Sequence, residues 1–323
     1  MPGKRKFDEQ LAALDALRHE ETEARVEPLR RALAQRNNLI VAKAAGLVVE
    51  SKLRPLIPEL LAAFERFFED PVKNDPQCWA KNAISRVLAE FEYQDAEVFL
   101  RGMKHVQLEP VWGGSSDSAG PLRSTCVLAL VQCRDVNEQR LLNHLVDMLG
   151  DKEKSVRVDV LRAIEQVGSN SAALLLRMRA VLGSEDAEVL GACYSGILRI
   201  EGPKAIPWIS QFLDSGDDAA GEAALAISGT HMPEAFEVLR ARVEDASDPW
   251  FRSVLLSAIA LTRQDAATEY LFKQVERESR LAEAAVEAIL RSAPSKEVIE
   301  RLKKLTESNP MLARAFAANR PSR

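Results

Sequence analysis

The sequence predicts an all-α chain in which about nine helical pairs stack as a solenoid. Three observations predict it. First, similar apolar helices recur along the chain. With Ile164, Ile197, Leu225, Ile259 and Ile289 taken as equivalent, the spacings are 33, 28, 34 and 30 residues. Leu130 extends the series backward by 34, and Leu88 and Leu47 precede by 42 and 41. Second, a further amphipathic helix falls between successive members of the series, as in Leu141, Leu142, Leu145, Val146 and Leu149, and in Leu174, Leu175, Met178, Val181 and Leu182. Third, aromatic residues make up only 6% of the 323, while Ala, Leu, Glu and Arg are abundant, a composition that favours helix over strand. Neither helix of a pair can bury its apolar stripe alone, so stacking supplies the core.

In chain order, residues 7–20 read as a helix that caps the array, and the pairs run from Ala24 to Phe316, making one repeat domain over residues 1–323. Punctuation agrees with the period. Gly150, Gly168, Gly183 and Gly202 stand where helices end, since glycine accepts the left-handed position after a helix. Asp248-Pro249 and Asn309-Pro310 read as an N-cap followed by proline in the first helical position, and Pro203 follows Gly202 in the same manner. One segment breaks the rhythm. Residues 105–121 lack helical periodicity and account for the 42-residue spacing. Insertions in repeat arrays fall in turns on one edge and often carry recognition. The apolar half of this segment (Leu108, Pro110, Val111, Trp112) is expected to pack on helices near Trp79 to Arg86, bringing Trp112 and Asp117 beside Arg123. Its Gly113-Gly114-Ser115-Ser116 stretch has no Lys and no P-loop pattern.

The segment from Val156 and Arg157 to Ala163 resembles the second helix of HEAT repeats in their HEAT-like, phycobilisome-lyase-type form. So does Asp248-Pro249-Trp250-Phe251-Arg252. The resemblance implies an armadillo-like, right-handed α-α superhelix of about nine helical pairs. It also implies a ladder between repeats from an Asp in the turn to an Arg early in the second helix. Asp151 with Arg157 and Asp248 with Arg252 match those positions, and Lys43 and Arg123 are weaker counterparts. On function the resemblance is nearly silent, because HEAT arrays serve as scaffolds, adaptors and occasionally enzymes.

Residue chemistry narrows the choice. The four cysteines, Cys78, Cys126, Cys133 and Cys193, form no C-x-x-C pair and sit in apolar helical stretches, as small core residues of a reducing compartment do. His19, His105, His144 and His231 are scattered without metal-ligand spacing, and the lone His19-Glu20 pair is too little for the two irons of HEAT-repeat hydroxylases. No metal and no cofactor are expected, and His144 reads as a partly buried structural residue. The net charge of −5 disfavours attraction to nucleic acid or an anionic membrane. The basic residues at the ends (Lys4, Arg5, Lys6, Arg314, Arg320, Arg323) read as solvated, and no apolar run has the length of a membrane span. Trp79, Trp208 and Trp250 fall in different repeats and read as packing at helix starts. The reading that follows is a cytoplasmic, non-enzymatic scaffold or adaptor. It binds a protein partner in the groove of the second helices, with Trp112, Asp117, Arg123, Trp79 and Arg86 as contact residues. The alternative implied by the resemblance is a HEAT-like enzyme of the bilin-lyase or DNA-glycosylase kind.

Overall fold

The computed structural model describes residues 2–183 and 185–319, with side chains from Phe7 onward. The side chains of Lys4, Arg5 and Lys6, and all of Arg320 and Arg323, lie outside the described residues; Arg314 is exposed. The chain forms two compact units, Met1–Val167 and Gly168–Arg323.

The first unit opens with α1 (Pro2–Ala16), which starts before the expected residue 7 and ends in a 3-10 turn at Leu17–His19. Four helical pairs follow. They are α2 (Thr22–Leu33) with α3 (Asn38–Glu50), and α4 (Ile57–Arg66) with α6 (Trp79–Glu90), the short α5 (Pro71–Asn74) lying between these two. Next come α7 (Ala96–Met103) with α8 (Gly120–Leu130), and α9 (Glu138–Met148) with α10 (Lys154–Val167). The second helices stack in series, α3 on α6, α6 on α8, and α8 on α10. Between α7 and α8 the chain forms an antiparallel hairpin of β1 (Leu108–Val111) and β2 (Gly114–Asp117).

The second unit holds five pairs. They are α11 (Asn170–Leu182) with α12 (Ala187–Glu201), α13 (Ile206–Ser210) with α14 (Asp218–Ser228), and α15 (Pro233–Asp245) with α16 (Pro249–Leu261). The last two are α17 (Asp265–Glu276) with α18 (Ala282–Arg291), and α19 (Lys296–Thr306) with α20 (Pro310–Asn319). Here α12, α14, α16, α18 and α20 stack in turn. The fold is therefore an all-α array of paired helices, as the periodicity predicts.

The caps follow the sequence signals. The Asp248 side chain accepts from Trp250 N ahead of Pro249, and the Asn309 side chain accepts from Met311 N ahead of Pro310. Gly168 and Gly202 have positive φ, and Gly202, at φ 72° and ψ −159°, occupies a region essentially restricted to glycine. Gly150 does not take a positive φ. Other second helices are followed by a left-handed residue that is not glycine: Lys52, Glu92, His231, Arg263 and Ala293.

Two packing expectations are corrected. Leu47, Leu88, Leu130, Ile164, Ile197, Ile259 and Ile289 are all buried, but Leu225 is 40% exposed, and Ile227 takes the buried place in α14. With Ile227 in the series the spacings become 33, 30, 32 and 30, more even than before. In α11 the large residues Leu174, Met178, Val181 and Leu182 face solvent, while Ala172, Ala173, Leu176 and Ala180 face the core. The small residues allow α12 to approach closely, so the face with less apolar surface is the one buried. In α9 the expected stripe holds in part: Leu141, Leu142 and Leu145 are buried, whereas Val146 is 38% exposed and Leu149 part-buried. His144 is half-buried. No helix among the described residues is long and apolar enough to cross a membrane.

Candidate partner-binding site

The segment 105–121 is anchored through buried polar groups. Where α6 begins, Asp75 accepts hydrogen bonds from Ala80 N at 2.8 Å and Lys81 N at 3.1 Å, capping the helix. Its carboxylate also pairs with Lys81 Nζ at 2.9 Å, and Asn38 Nδ2 donates to it at 3.0 Å. Lys81 further donates to the Phe67 carbonyl at 3.0 Å. Both charged side chains are 0% exposed. Taking two charges out of water is costly unless they are paired and hydrogen-bonded; here the two are paired, Asp75 accepts three further bonds and Lys81 donates to one further carbonyl.

The hairpin joins this cluster through its inward residues. Gln107 Nε2 donates to the Asp75 carbonyl at 2.8 Å and to Glu109 Oε1 at 2.7 Å. Glu109 also accepts from Gln77 N at 2.6 Å and from Ser118 Oγ at 2.6 Å. Burial works against the Glu109 charge, but the donors Ser118, Gln107 and Gln77 outweigh it and hold the carboxyl below its usual range. Gln77 and Cys78 both have left-handed backbone, φ 61° and 55°. Two successive non-glycine residues in that region store strain, and the bond to Glu109 helps to hold them there.

The far end of the hairpin is fixed in the same way. Asp117 Oδ1 accepts from Gln107 N and Ala119 N, each at 3.0 Å, and Asp117 Oδ2 lies 2.7 Å from Arg123 Nη1. Arg123 then forms a two-pronged pair with Asp151, at 2.7 and 2.9 Å, and donates to the His105 carbonyl at 3.0 Å. Burial again opposes the charges. The backbone donors and Arg123 hold Asp117 low, and Asp151 with Asp117 holds Arg123 high. The inter-repeat ladder therefore runs from Arg123 of one pair to Asp151 of the next. Arg157 donates to the Asp151 carbonyl rather than to its carboxylate, and Asp248 caps its own helix. Arg252 Nε is buried without a partner. Lys43 reaches back to Asp15 at 2.6 Å.

The buried cluster of Asn38, Asp75, Lys81, Gln107 and Glu109 is absent from the sequence reading. A signal was present: Asn37–Lys43, Asp75–Lys81, Asp117–Arg123 and Asp151–Arg157 are each six residues apart, one in every pair of the first unit.

Because side chains alternate along a strand, drawing Glu109 inward turns its neighbours outward. Val106 is 57% exposed, Leu108 58%, and Trp112, at the turn ahead of Gly113, 100%; Val111, on the face of Glu109 but beyond the buried cluster, is 48% exposed. The expected packing of Leu108, Pro110, Val111 and Trp112 on α6 does not occur, and the polar residues Gln107 and Glu109 instead bond Asp75 and Gln77 just ahead of that helix. Asp117 does meet Arg123 as expected, but inside the buried network rather than on a surface. Trp79 and Arg86 sit apart from the hairpin tip, lining a groove with Gln77 and Pro121. Trp79 and Trp250 stand at helix starts yet remain about half exposed, whereas Trp208 lies under the Arg177 guanidinium at 4.2 Å.

The cysteines are core residues, all four free and buried, and burial pushes the Cys78 and Cys193 thiols up to about 12.

No protein-family model matches the sequence, and no curated protein matches it. Among solved structures, the complex of CpcE and CpcF of phycocyanin lyase from Nostoc sp. PCC7120 is similar over 71% of this chain and 88% of that chain, with 18% identity and a TM-score of 0.34.

Proposed function

We propose that the protein is a non-enzymatic interaction module whose hairpin holds a protein partner. The observation that carries this reading is the contrast between the hairpin's buried polar anchors and its exposed apolar residues. Glu109, Asp117 and Arg123 tie it down, while Leu108, Val111 and a completely exposed Trp112 stand in solvent. A two-stranded hairpin alone is marginal in water, so its shape here is imposed by the buried network. Grouped apolar side chains on a rigid projection mark interaction surfaces, and tryptophan is enriched among residues that dominate binding energy. The contact moves from the groove to the hairpin edge. Asp117 and Arg123 act as positioning residues rather than contacts.

The test is capture from an extract of the source cells by chemical cross-linking and mass spectrometry. Trp112→Ala and Leu108→Ser should keep the wild-type melting curve to within about 0.5 kcal/mol, since both side chains are exposed. Both should lose the partner that the wild type retains. Equal retention by the two variants overturns the reading.

A further inference from the structure

The groove beside the hairpin has a chemistry of its own. It runs along α3 with α1 and α6 as walls, and encloses about 710 Å³. Pockets for small organic ligands span roughly 300–1,000 Å³ and are mostly apolar with a few convergent polar groups. The three helices run in the same direction. Asp15 on α1 pairs with Lys43 on α3, Arg18 just past α1 pairs with Glu50 at the end of α3, and Asn38 at the start of α3 bonds Asp75 just before α6. On each helix the apolar lining residues come first and the charged one last. Phe7 and Leu11 precede Asp15, Leu39 and Ala42 precede Lys43, and Trp79 and Ala83 precede Arg86. The groove thus has an apolar end and a charged end, separated by about 10 Å at the helical rise from Trp79 to Arg86.

The charges at that end do not cancel. Lys43 is matched by Asp15 at 2.6 Å, whereas Arg86 is exposed and makes no ion pair or hydrogen bond with another described residue. The lining therefore carries one cation in excess. An unpaired arginine fork is suited to a carboxylate.

We propose that this groove binds a small amphiphile with an apolar body and a single carboxylate, the body lying against Trp79 and Leu39 and the carboxylate meeting Arg86. The site is independent of the hairpin edge and stands or falls separately from the partner-binding reading.

Titration calorimetry of the full chain tests it, with decanoate as the anionic probe and decanamide as its neutral counterpart of equal length. Decanoate should bind saturably, one per chain. Arg86→Gln removes an exposed charge, so circular dichroism should show the fold retained, while decanoate binding weakens about fivefold and decanamide binding stays unchanged. Ala42→Leu, which fills the floor, should weaken both probes. Absence of saturable decanoate binding to the wild type overturns the proposal, and so does equal decanoate affinity in the wild type and Arg86→Gln.

Discussion

Lys81 shows how much a single residue's meaning depends on its surroundings. Its neighbours in sequence, Ala80 and Asn82, give no reason to expect a lysine with no exposed surface, yet its Nζ sits between the Asp75 carboxylate and the Phe67 carbonyl. Truncating one partner of a buried pair strands the other charge, so Lys81→Met should cost about 3–5 kcal/mol. Arg157, six residues after Asp151, occupies the same place in its repeat but is only half-buried, and it donates to the Asp151 and Lys152 carbonyls. Arg157→Ala should cost about 0–1 kcal/mol. Urea melts of both variants check the ordering, and a cost for Arg157→Ala equal to that of Lys81→Met would sever the link drawn here between burial and cost. The sequence marked Arg157 as the basic residue early in its second helix but did not single out Lys81. That a lysine there would be sealed from water was not legible, because its burial depends on Phe67 and Asp75, 14 and 6 residues earlier, converging on its Nζ.

At the scale of elements, the hairpin and α11 separate two kinds of evidence. Hairpin stability should depend on pH in a defined direction. Glu109 and Asp117 titrate below their usual values, so their contribution is complete above the ordinary carboxylate values of 4.5 and 3.8. It is lost as pH falls through the depressed folded values. His105, whose pKa burial holds below 6.5, adds an earlier loss that begins as pH drops under that value. The stability difference between wild type and Glu109→Gln should therefore be large at neutral pH and shrink in acid below about pH 4.5. Thermal melts across that range measure it, and a constant difference would show that the Glu109 charge contributes nothing. For α11 the expectation concerns faces. Leu176 is buried and Leu174 is 67% exposed, so Leu176→Ala should cost about 2–5 kcal/mol and Leu174→Ala less than about 0.5. Similar costs in denaturant melts would reverse the assignment. Helical spacing announced α11 clearly, but a helix with apolar residues on two faces carries no mark of which one its neighbour α12 will cover.

For the whole molecule, the division at Val167–Gly168 sets the expectation. Stability in repeat arrays is approximately a sum of repeat and nearest-neighbour terms, so a fragment holding complete pairs keeps most of what stabilises it. Residues 1–167 contain four pairs, the hairpin and every partner of its buried network, and should fold to a cooperative helical unit that retains Trp112-dependent capture. Circular dichroism melts and the capture assay check this, and an unfolded fragment would show that the network needs residues beyond 167. At this scale most of the fold was readable in advance. The periodic apolar residues, the Asp-Pro and Asn-Pro helix starts and the break at 105–121 follow from local rules of helix geometry and capping, which act over a few residues and leave their pattern in the chain. The break was visible only as missing periodicity. Its form as a hairpin with Glu109 inward and Trp112 outward came from contacts with Asp75, Gln77 and Arg123, residues up to 32 positions away. A charge is retained in the interior only where such distant groups converge to hydrogen-bond it, and that convergence is a property of packing rather than of local order.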